Sequence, residues 1–143
     1  MSIELGRNIN YDRTIEKSIW EPLGEHPLFT NLSGLDIMMI ALALGFNKGV
    51  RTKLKKKYPN VNLDGDNPTN RKAQAYLIAI AVHEKGLDFI DGERSEIRNI
   101  SEEYINTGLI EMEKIFLKND DNTIGLNKLM LILKKKFKKW KMI

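Results

Sequence analysis

The chain has 143 residues, 42% hydrophobic and 29% charged, with 23 basic against 19 acidic side chains and a formal net charge of +4. That length supports one domain with its own core, and the composition is ordinary for a globular fold. The absence of cysteine excludes disulfides, thiolate zinc sites, iron–sulfur ligation and thiol nucleophiles. No apolar run is long enough to span a bilayer. The opening residues Met-Ser-Ile-Glu-Leu-Gly-Arg lack the apolar stretch of a secretory leader, so a cytoplasmic location is expected.

The spacing of apolar residues predicts an all-α fold: a compact single-domain helical bundle with a basic, amphipathic C-terminal helix. The body is expected over 1–121, with 1–11 as a loose arm, and the terminal helix over 122–143, packed on the body or extending from it. Asp12 can cap a helix with Ile15, Ile19 and Trp20 on one face, closed by Pro22 and Gly24. Ser33 followed by Asp36 forms a capping-box start. The run from Leu35 to Leu44 is apolar on almost every side and predicts a helix buried all round, with Gly45 as its C-cap. A minor β-hairpin is expected near 50–63, pairing Val50–Leu54 with Val61–Leu63. Asn60 to Thr69 has loop chemistry. A core helix follows from Arg71 to Glu84, stopped by Gly86. Another runs from about Glu93 to Lys118, interrupted or kinked at Asn106-Thr107-Gly108. Asn119 to Thr123 is a polar hinge. After it, Leu126, Leu129, Met130, Leu133, Phe137 and Trp140 repeat at helical spacing, with Leu126 to Leu133 expected to dock on the body.

Charge is concentrated in two stretches. Residues 126–143 carry seven lysines and no acid, leaving the rest of the chain with 16 basic against 19 acidic residues. From Ile37 to Leu63 there is again no acid, and Lys48, Arg51, Lys53, Lys55, Lys56 and Lys57 fall inside. Such segregation favours a polyanionic partner, DNA or RNA held through phosphates. The candidate contact residues are those six together with Lys134, Lys135, Lys136, Lys138, Lys139, Trp140 and Lys141. Phe137 and Trp140 interleave the second run, where aromatic rings can stack on bases. The bland alternative is a solvated lysine face on a helix that simply docks.

Other motifs carry less. His26 and His83 are the only histidines and neither has a partner at ligand spacing, so no metal site is expected. Asp64-Gly65-Asp66-Asn67 starts like a calcium loop but has Thr69 and Ala75 where glycine and a bidentate glutamate belong. The Gly-rich turn from Gly45 to Arg51 lacks Walker A spacing, although basic side chains beside free N–H groups can hold a phosphate. Glu102 and Glu103 are adjacent and point about 100° apart on a helix, so they do not face one atom. No nucleophile–base arrangement is visible; the chain is expected to be non-catalytic and to carry no cofactor.

Three stretches together resemble a known family. They are Phe29 through Ala-Leu-Gly-Phe at 43–46 to Gly49-Val50-Arg51; Ile78-Ala79-Ile80-Ala81 through Leu87-Asp88-Phe89-Ile90; and Glu103-Tyr104-Ile105-Asn106-Thr107-Gly108-Leu109. Their order and spacing are similar to the small proteins associated with the Dnd DNA phosphorothioation system, of the Dnd system-associated protein 4 type. The resemblance covers roughly Trp20 to Leu117; the region between Leu54 and Arg71 matches poorly and the basic tail after Asn122 lies outside it. It implies a setting, DNA modification and phage defence, and assigns no catalytic residue. Two functions are therefore expected of the chain as alternatives. One is a non-catalytic accessory protein of that system, binding nucleic acid non-specifically or joining a DNA-acting complex. The other is a protein–protein docking module whose C-terminal apolar face binds a larger partner. A helix-turn-helix regulator ranks lower, because no recognition helix follows a tight turn.

Overall fold

A computed structural model describes residues 8–63, 68–87, 94–118 and 130–135. The fold is mainly helical with one small antiparallel sheet, as the periodicity predicts. In chain order it runs β1 (Asn8–Asp12), a 3₁₀ turn and a π turn leading into α1 (Glu21–Glu25), α2 (Gly34–Lys48), β2 (Lys57–Asn62), α3 (Pro68–Lys85) and α4 (Arg94–Met112), which ends in a π turn over Glu113–Leu117. Residues 130–135 are helical. Residues 64–67, expected as part of a loop, and the segments at 88–93 and 119–129 lie outside the described residues.

The sheet corrects two expectations. Residues 8–11 are not a loose arm: Ile9 and Tyr11 are buried, and β1 pairs with β2. The strand partner of β2 is thus the start of the chain and not Val50–Leu54, which is an irregular loop. The register steps from Ile9↔Val61 to Asn10↔Pro59, so Asn60 is the extra residue of a bulge. Opposite Pro59, the Asn10 N–H donates to the Glu102 carboxylate at 2.6 Å.

The helix starts follow the sequence more closely than the stops. The Asp12 carboxylate caps the first turn through the Thr14 N–H at 3.0 Å. Pro22 and Gly24 do not end that helix: Pro22 sits in the first turn of α1, where its missing N–H costs nothing, and the chain leaves the helix only at His26. The Ser33–Asp36 capping box is fully formed, at 3.0 and 3.1 Å. Gly45 is not the C-cap of α2. The helix continues to Lys48 and closes on Gly49, which takes the left-handed conformation at φ 76° that glycine adopts without steric cost.

Gly45 and Gly108 serve a different purpose, since α2 and α4 cross there at backbone contact. A Cβ on Gly45 would stand 1.9 Å from the Tyr104 carbonyl oxygen, and one on Gly108 would stand 1.6 Å from that of Ala41. Asn106-Thr107-Gly108 therefore does not break α4, which is continuous through all three residues. Around the crossing lies the core: Met38, Ala41 and Leu42 of α2, Leu77 of α3, and Ile97, Ile105 and Leu109 of α4. Beside it, Phe29, His26 and Phe116 form an aromatic group, with Phe29 and Phe116 edge to face at 4.9 Å. Contrary to expectation, α2 is not buried all round, because Met39 and Ile40 are only half-buried and Ala43 is exposed.

Gly108→Ala and Gly45→Ala are each expected to lower the unfolding free energy by at least the ~1–3 kcal/mol typical of an overpacked core. Gly24→Ala, with nothing within 4 Å of its Cβ, is expected to be neutral or stabilising by up to ~1 kcal/mol. Thermal and urea unfolding followed by circular dichroism compares the three.

Candidate nucleic-acid interface

The loop from Gly49 to Lys56 carries most of the first basic cluster, and two elements pin it. From α4, the Thr107 hydroxyl donates to the Val50 carbonyl at 2.7 Å, so the Thr52 hydroxyl, also 2.7 Å away, is placed to donate to Thr107. The Asn106 side-chain amide donates to the carbonyls of Thr52 and Lys53, at 3.3 and 3.5 Å. The Thr52 N–H donates to the Glu103 carbonyl at 3.2 Å. From β1, buried Asp12 accepts the N–H groups of Lys55 and Lys56 at 2.9 and 3.3 Å, and the Arg13 N–H donates to the Lys56 carbonyl at 2.9 Å. Leu54 is buried between these anchors. Gly49-Val50-Arg51 and Glu103 to Gly108, singled out in the sequence as separate motifs, are thus the two sides of one contact.

That contact also neutralises half of the cluster. Lys48 pairs with Glu111. Arg51 meets Glu103 at 2.9 Å. Lys57 lies 3.7 Å from Glu102 and donates to the Asn99 side chain at 2.7 Å. These three cations are committed to α4. Lys53, Lys55 and Lys56 differ: they are exposed, and none has an ion-pair partner among the described residues.

Two residues that the sequence reading missed adjoin them. The exposed Arg13 guanidinium lies over the Tyr58 ring at 4.4 Å from its centroid, and Tyr58 is itself 43% exposed. The backbone bond between Arg13 and Lys56 brings this stacked pair beside the loop. No local pattern announces it, because Arg13 and Tyr58 meet only through the pairing of β1 with β2. Of the second basic stretch, Lys134 and Lys135 are exposed on the helix at 130–135. Lys136, Lys138, Lys139, Trp140 and Lys141 lie outside the described residues.

Buried charge underlies the loop and the two-stranded sheet. Glu102 is 2% exposed. Burial pushes its carboxyl above the usual range, against the opposing pull of the Asn10 N–H, Lys57 and Arg98. Asp12 shifts the other way. Burial alone would raise it, but the combined hydrogen bonds from Lys55, Thr14 and Lys56 hold it below the usual range. The Tyr11 phenol is pushed up to about 12 by burial and by its hydrogen bond to Glu16. Each of these groups is tied to neighbouring structure. No group of three potential metal ligands occurs among the described residues. His26 accepts the Leu28 N–H through Nδ1 inside the aromatic group, and exposed His83 packs edge-on against Phe46. No helix among the described residues is long and apolar enough to cross a membrane. No protein-family model, curated protein or solved structure matches the chain.

The two carboxyls give opposite pH signs. A folded-state value raised above the unfolded one stabilises at low pH, and that contribution is lost as pH rises through it; a lowered value does the reverse. Glu102→Gln keeps an acceptor for the Asn10 N–H and removes the buried charge. Its unfolding temperature near neutral pH is expected to equal or exceed that of the parent, with a flatter profile above the ordinary glutamate pKa of about 4.3. Asp12→Asn is expected to be destabilised near neutral pH, and the deficit should shrink as acidification protonates the parent's Asp12. Melting curves across pH check both signs.

Proposed function

We propose that this chain is a non-catalytic accessory protein that binds nucleic acid through phosphates and without sequence readout, in a DNA phosphorothioation-linked defence system. The observation that carries the binding is the set of exposed lysines Lys53, Lys55 and Lys56, without acidic partners among the described residues, on a loop fixed by α4 and Asp12. A cation on an ordered loop loses less freedom on binding than one on a free chain. Arg13 on Tyr58 adds a stacked guanidinium beside them, suited to a phosphate or to a base face. Lys134 and Lys135 supply further exposed charge. No array of arginines suited to base edges accompanies these groups among the described residues, so positioning on phosphates is favoured over sequence reading. The cellular setting rests on the resemblance alone, and its test is gene context: sulfur-modification genes beside this one support it.

A second reading, a docking module, is favoured by Met130, Leu131 and Leu133, which are exposed on the helix at 130–135.

Fluorescence titration against duplex DNA at several salt concentrations separates the two. Counterion release gives a slope of about −0.9 in log K against log salt for each phosphate contact. Replacing Lys53, Lys55 and Lys56 by Gln is expected to flatten the slope by about 2–3 and leave the melting curve unchanged. Lys48→Gln, which removes a cation already paired with Glu111, is expected to change it by well under one such contact, about 0.9. Absence of binding at ~50 mM salt, where phosphate contacts are strong, would leave the docking reading in place.

A further inference from the structure

We propose that this chain forms a two-fold dimer in which the helix at 130–135 of each copy lies in an apolar groove between α2 and α3 of the other. The groove exists because α2 and α3 each pack on α4 and hardly touch one another. It encloses about 290 Å³ and is lined by Met39, Ala43 and Phe46 of α2 and by Tyr76, Ala79 and Ile80 of α3. On α2 they recur at four- and three-residue intervals, and on α3 Ala79 and Ile80 stand three and four residues after Tyr76, so each helix presents one ridge and the space between is a trough of helical dimensions. Ala43 and Ala79 leave its middle shallow enough for another helix to approach closely. The edge-on contact of Phe46 with His83 marks one end, at 5.0 Å between ring centres. There is no Asp, Glu, Lys or Arg from Ile37 to Asn47 or from Ala73 to Val82, so the trough offers no charge for a polar ligand and repels no lysine-rich helix. Tyr76, 56% exposed, stands open to solvent on its wall.

The same chain carries the matching half. The helix at 130–135 rests on the body through Ile132. Successive helical residues are about 100° apart, so Met130 and Leu133 share a side that points away from Ile132. They are 46% and 55% exposed. Among the described residues an apolar trough and an apolar helical stripe thus both face solvent, and neither covers the other. A second copy supplies both missing halves at once, in the helix-in-groove manner, with apolar anchors in the trough and Lys134 and Lys135 left to solvent at its rim. A two-fold arrangement makes the contact twice and leaves no unsatisfied end, which closes the assembly at two copies. The contact uses none of Arg13, Lys53, Lys55, Lys56 or Tyr58, so it stands or falls separately from the phosphate surface.

The chain has no cysteine, which makes the test direct. In the full-length Ala43→Cys/Leu133→Cys variant, mild oxidation is expected to give a covalent dimer on non-reducing gels that returns to monomer with reductant. A disulfide-linked monomer, recognised by intact mass and by loss of free thiol, would place the helix in its own groove and overturn the proposal. Thiols that stay free would overturn it as well. Analytical ultracentrifugation gives the second measurement: the parent chain is expected to sediment as a dimer, while Ala43→Glu and Leu133→Glu sediment separately as monomers with unchanged circular dichroism. An equimolar mixture of the two variants regains one intact groove–helix pair and is expected to recover dimer in part. A parent chain that stays monomeric at its highest soluble concentration sinks the idea, and Leu133→Glu alone still tests it should Ala43→Glu fail to fold.

Discussion

Everything in this molecule hangs on the crossing of α2 and α4. At Gly45 and Gly108 the two helices approach until each glycine rests against a carbonyl oxygen of the other helix, with no space for even one methyl group. Such proximity permits Cα–H···O contacts and dense packing of the neighbouring side chains. It also fixes the rotation of α4. With Gly108 against Ala41, the adjoining turn of α4 puts Glu103, Asn106 and Thr107 beside the chain as it leaves α2. The loop from Gly49 to Lys56 is then tied down by hydrogen bonds that a helix a few ångströms further away would not reach.

Pinning that loop divides its charge into two classes. Lys48, Arg51 and Lys57 turn toward acids of α4 and act as structural cations. Lys57 meets the buried Glu102, whereas the Lys48 and Arg51 pairs retain solvent exposure and are worth little to stability, typically ~0–1 kcal/mol each. Their larger consequence is to cancel charge that would otherwise project outward. Lys53, Lys55 and Lys56 keep theirs, and the strand pairing adds Arg13 and Tyr58. Among the described residues, the positive surface left unpaired is therefore smaller than the count of basic residues suggests.

Beneath the surface the two buried carboxyls act differently. Asp12 collects N–H groups from two segments distant in sequence, and those bonds outweigh its burial. Glu102 receives the Asn10 N–H of β1 beside the bulge at Asn60, and for it burial prevails. One carboxylate organises the loop. The other anchors β1 to α4 at an electrostatic cost. Both tie the start of the chain to its middle.

By itself the sequence determined the class of fold and most helix starts, because these are local. The Ser33–Asp36 box, the Asp12 cap and the stop at Gly86 depend on residues within one turn, and the chain chemistry there has one good solution. It also placed the basic stretches and marked 103–108 as distinctive. Tertiary structure decided what those residues do. Gly45 reads as a cap by local rules and is a contact point, because the carbonyl it accommodates is 59 positions away at Tyr104. Residues 8–11 read as an arm because a strand with two apolar positions has no identity until β2 supplies its ladder. The exposed side of α2 at Met39 and Ala43 was invisible for the same reason, since nothing in one helix reveals how far its neighbour stands off. The basic cluster was legible as composition, but its division into cations with and without an acidic partner among the described residues was not. A lysine's charge is a property of the residue, whereas its availability depends on which carboxylate the fold sets beside it.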